Sequence, residues 1–275
     1  MVLITTTETA SRPVGDLLRE WRQRRRMSQL DLACEAEIST KHLSFMETGR
    51  STPSREMVLL LAEQLDVPLR ARNALLTAAG YAPVFPERRL DDPAMAVARQ
   101  AIDLVLAGHE PHPALAVDRH WCMAAANRAV APLIAGVDPV LLHPPVNVLR
   151  LSLHPAGLAP RTVNLAEWRA HLLERLRQQI EVSGDPVLAE LMTELRGYPT
   201  PARPASHPPS ADFAAVAVPF RLATVDGILS FFSTTTVFGT PIDVTLSELM
   251  LECFFPADPE TAAAMRRLLN VAEPG

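Results

Sequence analysis

Between residues 14 and 81 the apolar positions recur at helical spacing in five short bursts, each bounded by a capping residue or a glycine. Leu17, Leu18 and Trp21 form the stripe of the first, from about Val14 to Arg26, and its other face carries Arg19, Arg22 and Arg26. Ser28 opens the second, with Leu30, Leu32 and Ala33. After the break Ala36-Glu37-Ile38, Ser39 opens the third, from Thr40 to about Glu47, and Gly49 supplies a left-handed exit. Pro53 and Ser54 start the fourth (Met57, Leu60, Leu61, Leu65). Pro68 starts the fifth (Leu69, Leu75, Leu76), which stops at Gly80.

Beyond a proline-bearing linker at 82–92, the pattern predicts an amphipathic helix over 93–108 through Met95, Val97, Ile102, Leu104 and Val105. The texture then changes. Ala114–Asp118 and Trp121–Ala126, split by Arg119-His120, read as a β-hairpin, and Asn127 caps a helix ending near Gly136. Helices follow over 164–183 and 185–196, and Pro199–Pro209 reads as an extended surface loop. In Ala215–Thr224 the even positions Val216, Val218, Phe220 and Leu222 are apolar, the period of a strand. Gly227 turns the chain into Ile228–Phe238, which has strong β character. Leu246–Phe255 carries two patterns. Alternation of Leu249, Leu251, Cys253 and Phe255 suits a strand. Thr245 with Glu248 as a capping box, and Leu246, Leu249, Met250 and Cys253 as a stripe, suit a helix. The strand is preferred because it completes a sheet. Asp258–Asn270 is a final helix.

Composition narrows the class. With 275 residues, 48% apolar and 21% charged, the chain is an ordinary globular sequence long enough for two domains, and overall disorder is excluded. No apolar run approaches the ~18 residues of a membrane span. The start lacks the basic n-region of a secretory signal. Cys34, Cys122 and Cys253, odd in number and far apart, read as reduced thiols of a cytoplasmic protein. The net charge of −5 is uneven: residues 12–89 hold 13 basic and 10 acidic side chains, a net +3, and residues 90–275 hold 13 and 20, a net −7. A basic head with an acidic remainder suits a nucleic-acid module joined to a sensing module. Lys41 is the only lysine in the sequence.

The second and third helices, joined by about four residues with Ala33, Ile38 and Leu43 facing one another, make a helix-turn-helix. The segment resembles regulators of the Cro/repressor type, the XRE family. The resemblance rests on Ser28-Gln29, Leu32-Ala33, Ser39, Glu47-x-Gly49-Arg50, Pro53-Ser54 and Leu61-Ala62 before Leu65. Glu37 departs from that pattern, standing where the family usually has glycine, so the turn is expected to carry left-handed strain. At 100° per residue, buried Leu43 and Met46 turn Lys41, Ser44, Phe45 and Thr48 outward, with Thr40 at the exposed first turn. Lys41 can donate to guanine O6 or N7, Ser44 can pair with several base edges, and Phe45 can meet a thymine methyl or pack on a neighbouring helix. His42 on the flank suits a phosphate contact or plain solvation. Gln29 and the amides that open its helix can hold a phosphate. Arg50 reads as a surface charge or a partner of Glu47, and the family resemblance implies a phosphate contact. Ser39 completes the expected DNA-facing set.

The order of elements after residue 111 resembles a PAS-like fold. The chain from about 13 to 270 also resembles the branch of these regulators that carries an MmyB-like ligand-binding domain. The residues behind this are Leu17-Leu-Arg-Glu-Trp-Arg22, Val117-Asp-Arg-His-Trp121 with Asn127, Asn147-Val-Leu-Arg-Leu-Ser-Leu-His-Pro155, Asn164-Leu-Ala-Glu-Trp168 and Phe238-Gly-Thr-Pro241. That resemblance implies a small-molecule or acyl-chain effector, fatty acids being suspected for the family. From the residues themselves, a sheet of about five strands with helices over one face encloses an apolar pocket, with Trp121, Met123, Trp168, Phe231 and Phe232 as walls or as plain core. Arg150, between Leu149 and Leu151, either clamps a carboxylate or pairs with a nearby acid. His154 either bonds a ligand, caps, or satisfies a loop. Hydrolase, P-loop, dinucleotide and zinc-protease motifs are absent. His109, His112, His120 and Cys122 match no recurrent metal spacing.

The expectation is therefore an all-α five-helix helix-turn-helix domain followed by an α+β PAS-like domain with an antiparallel sheet. The bounds are an arm at 1–12, the DNA-binding domain at 13–82, a linker and connecting helix at 83–110, and a ligand-binding and dimerisation domain at 111–275. Neither enzyme chemistry, metal nor cofactor is expected. The expected partners are double-stranded DNA, a small effector and a second copy of the chain.

Overall fold

Three serines set the frame of the N-terminal helices. The computed structural model describes residues 12–199, 218–225, 227–239 and 241–271. The helices are α1 (Val14–Arg24), α2 (Gln29–Glu35), α3 (Thr40–Glu47), α4 (Arg55–Gln64) and α5 (Leu69–Ala78). Ser28, Ser39 and Ser54 each accept a hydrogen bond from a backbone N–H in the turn they open, which satisfies amides that a helix start leaves unpaired. Asp31 closes a reciprocal box by accepting from the Ser28 N–H. Leu18, Leu32, Leu43, Met46, Leu61 and Leu65 meet in a core with no exposed surface.

Two backbone details set the helix geometry. Glu37, between α2 and α3, has φ +54°, so the turn takes the left-handed form anticipated there. That conformation costs a residue with a Cβ about 1–2 kcal/mol. Gly15 lies where α1 meets the end of α3. A Cβ on it would stand 2.5 Å from the Met46 carbonyl oxygen, so the close approach requires glycine.

The chain divides into two compact units, one of residues up to Glu87 with Ile242–Val244, the other of Arg88–Pro241 and Thr245 onward. The second contains, in order, α6 (Ala96–Gly108), β1 (Ala114–Val117), β2 (Met123–Ala126), α7 (Val130–Leu133), α8 (Val148–Leu153), α9 (Leu165–Ser183), α10 (Pro186–Gly197), β3 (Phe220–Thr224) and β4 (Gly227–Val237). The single turn α11 (Val244–Ser247) bridges the division, and β5 (Met250–Pro256) and α12 (Pro259–Val271) follow. The five strands form one sheet in the order β2-β1-β5-β4-β3, antiparallel throughout. The ambiguous 246–255 segment uses both of its patterns in turn, ending α11 and then forming β5. The Pro199–Pro209 loop, except Pro199, and the start of the Ala215–Thr224 strand lie outside the described residues, as does the arm before Arg12.

Strand alternation gives the sheet two occupied faces. Leu115, Phe220, Phe231 and Phe254 pack toward α7, α8 and α9. Ala114, Ala116, Leu251 and Cys253 pack with Ile102 and Leu106 of α6. The helices therefore cover both faces, where the sequence suggested one. Asn127 is corrected as well. It is not the cap of α7, whose N-cap is Ala129. Its buried amide accepts from Ala114 N–H and donates to the Leu106 and His112 carbonyls, tying the end of α6 to β1. Helix α8, unread in the sequence, is capped by Asn147, which accepts from the N–H groups of Leu149 and Arg150.

Candidate DNA-reading surface and ligand cavity

Helix α3 buries Leu43 and Met46 and leaves Ser39, Thr40, Lys41 and His42 in solvent, with Ser44 and Phe45 half-buried. The Ser39 hydroxyl accepts from His42 N–H as a cap, which orients the first turn. The Lys41 ammonium lies 5.6 Å from the centroid of the Phe45 ring and the Arg50 guanidinium 5.7 Å from it. Arg50 N–H also donates to the Phe45 carbonyl. Cation–ring contacts of this kind are worth about 0.5–1 kcal/mol at exposed sites. Phe45 thus gathers two cations on the outward face of α3, a role the sequence did not suggest. The i,i+4 spacing of Lys41 and Phe45 was the available signal.

Two side chains near the expected DNA-facing set, Gln29 and Arg22, are tied to Glu47. Gln29 donates one of the two N–H groups of its amide to the Glu47 carboxylate (2.8 Å). Arg22 is buried and holds Glu47 with two hydrogen bonds, Nε–Oε1 2.7 Å and Nη2–Oε2 2.9 Å. Arg22 lies four residues after Leu18 and so falls on the buried stripe of α1, a sign that was legible. Arg19 adds a bond to the Glu47 carbonyl and a charge 3.5 Å from its carboxylate. Burial pushes the Glu47 carboxyl up, but the Arg22 and Gln29 hydrogen bonds and the arginine charges outweigh it and hold it below the usual range. Glu47 is therefore not the partner of Arg50.

In the second unit a cavity of about 90 Å³ lies between the sheet and helices α7, α8 and α9. Trp121, Met123, Trp168 and Phe231 line it, together with Phe220, Phe254 and aliphatic side chains. Both indole N–H groups are satisfied in the wall: Trp121 donates to Gln179 (2.7 Å) and Trp168 to Ser152 (2.9 Å). The volume is below the roughly 150 Å³ of a cavity that admits benzene, so a larger occupant requires the walls to move. Phe232 lies elsewhere. Neighbouring strand residues face opposite ways, and Phe232 stacks on Phe255 at 5.3 Å on the other side of the sheet.

Among the described residues the charged side chains lining the cavity are Arg175 and Glu252, neither selected from sequence. Arg175 donates to both Glu252 oxygens, and the Thr235 hydroxyl adds a bond to Oε1 (2.9 Å). The Glu252 side chain is 5% exposed and that of Arg175 21%. The Arg175 guanidinium also lies 5.0 Å from the Trp121 ring centroid. Glu252 stands opposite Leu115 of β1, so it faces the cavity, although the alternation of Leu249, Leu251, Cys253 and Phe255 had placed it in the polar phase of β5.

Arg150 and His154 do not line the cavity. Arg150, 45% exposed, forms a forked pair with Glu194, to which Tyr198 also donates its hydroxyl. The acid it clamps belongs to the protein. His154 Nδ1 accepts from Ala156 N–H, the cap-like arrangement, and its ring packs edge-on against Tyr198. Among the described residues no group of three or more His, Cys, Asp or Glu is placed to hold a metal ion, and no helix is long and apolar enough to cross a membrane.

Comparison with known proteins matches these two units to two kinds of domain. The family model described as the MmyB-like transcription regulator ligand binding domain matches residues 98–268. A helix-turn-helix model matches residues 18–71. A curated protein of Methanoculleus marisnigri, described as an HTH-type transcriptional regulatory protein, is 34% identical over 116 residues, which cover 40% of this chain and 37% of the relative. The match thus spans little more than a third of that relative's length.

Proposed function

Because the chain belongs to the family of transcription regulators with an MmyB-like ligand binding domain, we propose that it is a cytoplasmic, sequence-specific DNA-binding regulator. It acts as a homodimer and responds to an apolar or amphipathic small molecule. The observation that carries the reading is the outward face of α3, where Lys41, Phe45 and Arg50 cluster beside Ser44 and Thr40 while Leu43 and Met46 anchor the helix. Arg50 serves as a phosphate contact and Lys41 as a base contact. Arg50→Ala is expected to weaken binding to every DNA sequence and to reduce the salt slope by about 1. Lys41→Ala is expected to cost about 1–3 kcal/mol at one base position and to relax specificity there. Titrations of specific and random duplexes across a salt series measure both. Equal losses on both duplexes for Lys41→Ala would make it a phosphate contact instead.

One recognition helix reads a short half-site, so a useful operator requires two heads. Helix α6 offers a surface for the pairing. Val97 (80% exposed), Leu104 (66%) and Val105 (45%) form, with Ala101 and Gly108, an apolar stripe on the side away from buried Ile102 and Leu106. Leu104→Asp is expected to shift a dimer to monomer in light scattering at tens of micromolar, and a wild-type monomer on and off DNA would end the dimer reading. The small cavity volume supports a second reading, in which the C-terminal unit only dimerises or recruits a partner. The ligand titrations below separate the two.

A further inference from the structure

Resting on the reading of the cavity as a ligand site, we infer that its ligand is uncharged. It is an apolar body with one hydrogen-bond acceptor, of the amide, ester or alcohol class, and not a carboxylate. The wall is already neutral, because its guanidinium and its carboxylate are spent on each other. The Glu252 backbone is registered between Leu115 of β1 and Thr235 of β4, which holds its carboxylate on the cavity side of the sheet beside Arg175. A ligand carboxylate on Arg175 would place a second negative charge beside a carboxylate that is 5% exposed, among aromatic walls. Among the described residues no second cation lines the cavity. His171, stacked on Trp168, is held below its usual pKa by burial and by Arg175, so it is neutral at pH 7.5.

A neutral acceptor meets none of these costs. A guanidinium carries five N–H donors. The bonds to Glu252 and Thr235 engage three of them, so a carbonyl or hydroxyl oxygen can accept from Arg175 with the ion pair intact. Both indole N–H groups are committed within the wall, so Arg175 and the Ser152 hydroxyl, which accepts from Trp168, are the lining side chains that can donate, and Arg175 is the charged one and serves as the anchor. An apolar body then lies against the rings of Trp168, Phe231 and Phe254.

The test is titration of the full chain at pH 7.5 with matched amide and acid pairs, hexanamide against hexanoate and decanamide against decanoate. The fluorescence of Trp121 and Trp168 reports binding. The amide is expected to bind at least about tenfold tighter than the acid. Glu252→Gln keeps the shape but releases the Arg175 charge, and is expected to move the amide-to-acid ratio at least about tenfold toward the acid. An acid that equals or beats its amide on the wild type overturns the inference while leaving the ligand-site reading in place. So does a folded Glu252→Gln whose ratio is unchanged. If neither pair binds at either length, the ligand-site reading itself fails and the inference falls with it. If Glu252→Gln does not fold, the wild-type ratio decides, with hexan-1-ol and decan-1-ol expected to follow the amides.

Discussion

Glu47→Ala is expected to lower the stability of the first unit by about 3–5 kcal/mol, the usual cost of removing one partner of a buried ion pair. The Glu47 side chain is 0% exposed and that of Arg22 11%, so the stranded guanidinium cannot reach water freely. The alanine also frees Gln29 and one contact of Arg19, so α1, α2 and α3 lose their common tie. Denaturant melts of the full chain, with hydrogen exchange over residues 14–81, measure the loss. A change below about 1 kcal/mol would show that the apolar core alone fixes these helices. The same network makes stability pH-dependent. The Glu47 carboxyl is depressed in the folded state, so its contribution is complete above the ordinary glutamate pKa of about 4.3. It is lost as the pH falls through the lower folded value. Acid is therefore expected to release the first unit's hydrogen-exchange protection in a step that Glu47→Ala lacks.

Arg175→Met is expected to cost the second unit about 3–5 kcal/mol, because it leaves the Glu252 carboxylate buried with Thr235 as its remaining side-chain partner. The double change Arg175→Met with Glu252→Met removes both charges. It is expected to recover most of that loss, since apolar replacements of a buried pair are often neutral or stabilising. A double-mutant cycle by denaturant unfolding reads the coupling directly. A single change costing less than about 1 kcal/mol would mean that solvent reaches the carboxylate after all.

The sequence was most legible where structure is local. Ser28, Ser39 and Ser54 announce helix starts through their own side chains, and Leu43 and Met46 orient α3 with no knowledge of the rest of the chain. The strands were found by period, but period does not say which face lines the cavity. Phe231 and Phe232 looked equivalent, and the sheet sends them to opposite sides. Polar partners separated by long stretches of chain were the hardest to read. Arg22 with Glu47 and Arg175 with Glu252 are set by tertiary packing over 25 and 77 residues, and no spacing rule connects them. Arg150 misled for the same reason. Apolar neighbours in sequence suggested burial, yet a six-residue helix turns its side chain toward Glu194 on α10.

The Arg175–Glu252 pair has a consequence for assembly of the sheet itself. β5 is the central strand, and its even and odd positions serve different neighbours. A slip of one residue would turn Glu252 onto the α6 side and bring Leu251 or Cys253 round to α9. Apolar side chains alone penalise such a slip weakly, because both faces of β5 are rich in them. Arg175 penalises it strongly, since in the wrong frame a guanidinium meets a leucine or a thiol and a carboxylate is pressed into aliphatic packing. The ion pair thus works as a proofreading latch, a contact from outside the sheet that closes only when the middle strand is threaded in its correct frame.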